Sequence, residues 1–185
     1  MLLIQIKTVV TLSVIVCLGV GFILAVTARM SNPVSGYELA ARERGGVYLG
    51  IEGVIMQGRE NTCGPAALKM ILDVRGKMVP LRELEKDGNT SDGGWSMQSL
   101  KELAGRYGLR AEGWRLNMEA LCRSRFPAIL FVENQHFVVA DSVDTCAFFF
   151  VRDPAIGRMK IHRRALSRIW TGETLVFGES GYPRK

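Results

Sequence analysis

Histidine is scarce in this chain, with two in 185 residues, and cysteine (4) and proline (6) are little more common. Four cysteines are too few for a small fold stapled by disulfides. Low proline, with 48% hydrophobic and 23% charged residues, excludes a disordered chain. No CxxC or HExxH spacing occurs, so no bound metal is expected, and no GxxxxGK[ST] loop is present to cradle a nucleotide. Internal repeats and low-complexity tracts are also missing. Acids (18) are fewer than bases (24), and the net charge of +6 permits contact with anionic lipid without requiring it. The basic stretch Arg158, Lys160, Arg163, Arg164 and Arg168 reads as a solvated or lipid-facing surface, and no nucleic-acid partner is expected. The length suits one domain with a short appendage.

What the chain does have is a long run without charge. Thr8 to Ala28 is 21 residues rich in Val, Ile and Leu, with no polar face. At ~1.5 Å per helical residue it reaches ~30 Å, the thickness of a hydrocarbon core. We expect a membrane anchor over residues 1–29, with the transmembrane helix at about 8–28. The rival is a cleaved signal ending at Val26-Thr27-Ala28, but a signal's apolar region is nearer ~7–15 residues. The expected location is the cell membrane, single-pass. Lys7 with the α-amine on one flank balances Arg29, Arg42 and Arg44 on the other, so the charges do not choose the side that the remaining chain faces. Residues 30–50, broken by Ser31-Asn32-Pro33, Ser35-Gly36 and Gly45-Gly46, read as a tether. Tyr37 to Arg44 has room for two helical turns, and residues 51–185 form the main domain.

Within that domain Cys63-Gly64-Pro65 opens a helix that runs through Ala66 to Leu72 and stops at Gly76, since proline in a first turn forfeits no needed bond. Leu81 to Lys86 and Ser96 to Tyr107 read as two further helices, the last closed by Gly108. Short apolar runs follow: Ala128 to Val132, His136 to Ala140, Ala147 to Val151, Arg158 to Ile161 and Thr174 to Phe177. Glu133-Asn134-Gln135 and Asp153 to Gly157 are turns between them. Helices first and strands afterwards predict an α+β domain with a C-terminal antiparallel sheet. Phe148-Phe149-Phe150 reads as a buried strand that leaves a phenylalanine on its other face.

The stock of reactive side chains is correspondingly small. Cys63 stands at a helix start, where free N–H groups and the helix dipole favour a thiolate. Cys122 and Cys146 read as buried structural thiols. His136 opens a strand after a polar turn, and Asp153, seventeen residues on, ends the neighbouring one. Antiparallel pairing of these strands would complete a Cys–His–Asp arrangement.

The stretch Gln57-Gly58-Arg59-Glu60-Asn61-Thr62-Cys63-Gly64-Pro65-Ala66-Ala67-Leu68 resembles the catalytic motif of the C39 peptidase family, the double-glycine leader peptidases of bacteria. Gly93-Gly94-Trp95-Ser96, Tyr107-Gly108-Leu109, Pro127-Ala128-Ile129-Leu130, His136-Phe137-Val138-Val139 and Asp153-Pro154-Ala155-Ile156-Gly157 follow in the family's order. Trp170 to Leu175 is similar to its closing segment, so the likeness spans about Glu52 to Phe177. It implies a papain-like fold and a thiol endopeptidase with no cofactor. Cys63 would be the nucleophile, His136 the base and then acid, Asp153 the orienter, and Gln57 an oxyanion donor. Thr62 departs from the family, whose exporter-fused members usually carry Asp there. The implied substrate is a leader peptide cut after Gly-Gly, and any ATP use would belong to a separate ABC exporter. Two other classes fit the same fold: a non-catalytic peptide-binding module, and an acyl-transfer enzyme that passes the acyl-cysteine to an amine. Gly45-Gly46, at the end of Tyr37 to Gly46, also suggests a self-processing site, although Glu38-Leu39 stands one residue too far from the pair for a leader.

Overall fold

The computed structural model describes Val20 and residues 33–88, 94–133 and 135–178. The expected transmembrane helix at about 8–28 lies, apart from Val20, outside the described residues, and none of the described helices is long and apolar enough to cross a membrane. The chain divides into two compact units, Met1–Leu39 and Ala40–Lys185.

The elements in chain order are α1 (Pro33–Glu43), β1 (Gly46–Tyr48), α2 (Cys63–Val74), α3 (Leu81–Asp87), α4 (Met97–Arg106) and β2 (Ala111–Arg115). They continue with α5 (Met118–Cys122), β3 (Ala128–Val132), β4 (His136–Asp144), β5 (Phe148–Asp153), β6 (Gly157–His162), α6 (Arg163–Ile169) and β7 (Trp170–Phe177). Seven strands form one sheet in the order β1-β6-β5-β4-β3-β7-β2, and every neighbouring pair is antiparallel. The α+β class and the antiparallel sheet are therefore as expected.

Helix α2 is the centre of the core. Its residues Cys63 to Leu68 and Met70 to Leu72 are all buried, so it is apolar nearly all round, as a helix covered on several sides must be. It stops where Gly76 enters the left-handed region (φ 71°) and the Lys77 N–H donates to Leu72 O at 2.9 Å, which satisfies carbonyls the helix leaves free. At the start of α4, Ser96 Oγ accepts from the Ser99 N–H (3.0 Å), and Ser99 Oγ accepts from the Ser96 N–H (2.9 Å). Leu68, Ile71, Leu84, Leu100 and Leu103 from these helices close on Ile129, Phe137, Val139, Leu175 and Phe177 of the sheet. Each such side chain contributes ~1.5–3 kcal/mol by leaving water.

Three elements were not expected: β1, β2 and α6. Gly46 to Tyr48, read from sequence as part of a tether, is the edge strand, in register with Met159 to Ile161 of β6. Of the suggested self-processing pair, Gly46 is buried in this strand and Gly45 is exposed in the turn before it. Cys122 and Cys146 also depart from expectation. They are half-buried and joined by a disulfide, with Cα atoms 5.3 Å apart, which ties the end of α5 to the turn between β4 and β5. Phe149 is buried, while Phe148 and Phe150 are half-buried with the Lys160 ammonium 4.4 and 5.7 Å from their ring centres.

Candidate active site

Three side chains from three elements meet at one end of the sheet. A short 3-10 turn, Glu60–Thr62, delivers the chain to Cys63, the first residue of α2. His136 is the first residue of β4 and Asp153 the last of β5. The ladder between these strands pairs Val139 with Arg152 and ends there, which leaves His136 and Asp153 diagonal to each other beyond it. His136 Nε2 lies 2.7 Å from Asp153 Oδ1, and the imidazole is also the side-chain hydrogen-bond partner of the Cys63 thiol. Cys63 is 5% exposed, His136 7% and Asp153 not at all. Among the described residues Cys63 is the one free cysteine.

The surroundings stabilise charge on the first two. Burial pushes the Cys63 thiol up, but the His136 hydrogen bond, the Phe137 N–H, the His136 charge and the Gly64 N–H together hold it below its ordinary value. For His136, burial disfavours the cation, yet hydrogen bonds to Asp153 and Cys63 and the charges of both raise it to about 9. The two shifts run toward each other, the thiol down and the imidazole up, so each group favours the charged form of the other.

Asp153 is held on every side. Its Oδ1 also accepts from the Ala155 N–H at 2.8 Å, and its Oδ2 accepts from Arg44 Nη1. Beside it, Arg152 grips Asp141 through Nε (2.8 Å) and Nη2 (2.5 Å) and donates from Nη1 to Gly53 O at 3.0 Å. The Gln57 N–H donates to Pro154 O at 2.9 Å, which fixes Gln57 beside the turn after Asp153. Its Oε1 is buried and has no partner among the described residues. Trp95 lies against Gly64, where a Cβ would come within 2.9 Å of the Trp95 side chain, so only glycine lets Trp95 cover the first turn of α2.

The structure brings together Cys63, His136 and Asp153. It sets the Gln57 backbone against the turn that follows Asp153. Arg44 and Arg152 were missed by sequence reasoning. Nothing in the sequence around Arg44 marks it, because its partner is 109 positions away. The second histidine, His162, serves α6 instead: its Nδ1 accepts from the Arg164 N–H at 3.1 Å.

A model described as the Peptidase C39 family matches residues 52–180. An uncharacterized protein of Methanothermobacter thermautotrophicus is 34% identical over 128 residues, covering 69% of this chain and 89% of that protein. The probable microcin-H47 secretion/processing ATP-binding protein MchF of Escherichia coli is 33% identical over 122 residues, which cover 66% of this chain and 17% of that one. Among solved structures, a double glycine motif protease from an AMS/PCAT transporter, in complex with the leader peptide, superposes with a TM-score of 0.64 at 33% identity. That match covers 75% of this chain and 98% of the other.

Proposed function

The chain belongs to the peptidase C39 family, and on that premise we propose that it is a cysteine endopeptidase that cleaves peptide leaders after a Gly-Gly site. The observation that carries this reading is the hydrogen-bonded line Cys63–His136–Asp153, buried at the start of α2 with the thiol held below its ordinary pKa. The Cys63 thiolate attacks the scissile carbonyl carbon, and the developing oxyanion is met by the Cys63 backbone N–H and the Gln57 carboxamide. His136 passes its proton to the leaving amine as the C–N bond breaks. Water, deprotonated by the same imidazole, then releases the acyl group from sulfur as a carboxylic acid and restores the thiolate and the imidazolium. Asp153 keeps the ring oriented and favours its cationic form.

The relative solved with a leader peptide supports the substrate class. On this reading the approach to the nucleophile admits only residues without a Cβ, which is what glycine supplies. We place the domain at a membrane, single-pass through residues 8–28, with a separate ABC exporter as a candidate partner. The Cys122–Cys146 disulfide favours the oxidising side of that membrane.

The test is intact-mass analysis after exposure to iodoacetamide and, separately, to a synthetic leader peptide ending in Gly-Gly. A carboxamidomethyl adduct on Cys63, formed faster than on an ordinary thiol, and cleavage after the second glycine are expected. Binding of the peptide without cleavage, with an unreactive Cys63, would replace the peptidase by a binding module.

A further inference from the structure

We propose that Arg44, from a segment preceding the family-matched residues 52–180, is a positioning residue of this peptidase: it fixes the Asp153 carboxylate so that Oδ1 stays on His136. The inference rests on the peptidase reading. Asp153 has two oxygens and no access to water. Oδ1 serves His136 and the Ala155 N–H, and Arg44 Nη1 is the side-chain donor to Oδ2. Without it a fully buried carboxylate oxygen would lose its charged partner, and the carboxylate would be held through Oδ1 alone. The Arg44 side chain is 26% exposed, so it keeps contact with water on behalf of an aspartate that has none.

Arg44 is itself held from both sides. Its N–H donates to Ala40 O at the end of α1, and Gly45 turns the chain in the left-handed region (φ 73°), where a Cβ would come within 2.6 Å of Ala165. Gly46 to Tyr48 then pair with β6, and the Leu49 N–H donates to Arg158 O at 2.8 Å. A guanidinium carried on such a frame is a fixed clamp rather than a wandering surface charge.

Arg44 also places a positive charge against the carboxylate that holds the reactive pair's imidazole. His136 faces Cys63 from α2 and Asp153 from β5, and Asp153 faces Arg44. The neighbouring Arg152 is taken up by Asp141 and Gly53 O. Taking away one positive charge raises the proton affinity of every group near it.

The experiment uses the full chain in detergent and follows the rate of Cys63 carboxamidomethylation against pH, with cleavage of a Gly-Gly leader peptide alongside. In Arg44→Gln both steps of the alkylation profile are expected to move up by about half a pH unit or more. Leader cleavage should lose ~10-fold in kcat with KM unchanged, because orientation rather than binding is disturbed. Arg44→Lys, which restores the charge, should return the profile to that of the wild type, and Arg42→Gln, an exposed change on α1, should leave both readouts alone. A lowered melting temperature in Arg44→Gln with unchanged pH steps and kcat would make Arg44 merely structural and overturn the proposal. An Arg44→Lys profile displaced as far as that of Arg44→Gln would overturn it too. A wild-type Cys63 that alkylates like an ordinary thiol would overturn the peptidase reading itself, and this inference with it.

Discussion

The Nε2 of His136 and the Oδ1 of Asp153 stand 2.7 Å apart, joined across neighbouring strands whose ladder has already ended. Because neither residue pairs in that ladder, both side chains can lean toward the same point, where Cys63 arrives from α2. The sheet thus supplies two members of the site and the buried helix the third.

One consequence is a bell-shaped pH dependence of kcat/KM. Activity is expected to rise on the acid side as Cys63 loses its proton below the ordinary thiol value, and to fall as His136 loses its own near pH 9. The same shift bears on stability. The folded pKa of His136 is raised, so its contribution is complete below the unfolded value of ~6.5 and is lost as pH rises through about 9. In Cys63→Ala the thiol's hydrogen bond and charge are both gone, and His136 should titrate lower. An imidazole titration by NMR checks this; an unchanged His136 pKa in Cys63→Ala would break the coupling.

Substitutions should give graded losses. Cys63→Ala should abolish cleavage while the fold survives, and His136→Ala should come close to it. Gln57→Ala should lower kcat by ~10²–10³, the usual loss for one oxyanion donor. Asp153→Asn should be milder than His136→Ala in rate, yet it should lower the melting temperature because Arg44 then faces a neutral amide. Single-turnover kinetics with a leader peptide ranks the four. A Gln57→Ala enzyme with wild-type kcat would remove Gln57 from the oxyanion role.

Much of this arrangement was legible in the sequence, for physical reasons that also explain the misses. Pro65 and the apolar stretch after it mark the start and the burial of α2, and Gly76 and Gly108 adopt the positive φ expected where helices stop. The turn from Asp153 to Gly157 is short-range chemistry as well, so the pairing of β5 with β6 could be anticipated. β1 and β2 were not, because Gly46-Val47-Tyr48 and Ala111 to Arg115 are short edge segments with little alternation, defined by their partners. Cys122 and Cys146 look like two unrelated thiols until a turn with positive φ at Thr145 and Cys146 faces the end of α5. Arg44 looks like one of several flanking charges until Asp153, in another part of the chain, gives it a role.

The Cys122–Cys146 disulfide should contribute to stability rather than to chemistry. Its sulfurs join residues 24 positions apart, a loop for which ~2–4 kcal/mol is typical. Cys122→Ser with Cys146→Ser should therefore unfold at lower urea, by about that amount, and still alkylate at Cys63 at low temperature. Wild-type protein in reductant should match the double variant. Identical urea midpoints for oxidised and reduced wild type would show that the bridge does not stabilise the domain.

The final prediction concerns where the working domain begins. The 21 uncharged residues from Thr8 to Ala28 should keep the full chain in the membrane fraction through alkaline carbonate extraction. A chain starting at Pro33 lacks that run but keeps α1, Arg44 and β1, and it should be soluble with full Cys63 reactivity. A chain starting at Gly50 keeps every residue that the family model matches, yet it exposes the edge of β6 and leaves Asp153 without Arg44. Both losses act in the same direction: an unpaired strand edge invites association, and a loosened carboxylate orients His136 less well. The Gly50 chain should therefore aggregate more readily and cleave a leader peptide at least ~10-fold more slowly than the Pro33 chain. Size-exclusion chromatography with parallel cleavage assays separates the two effects, and equal rates for monomeric fractions of both chains would mean that residues 33–49 are dispensable to the chemistry.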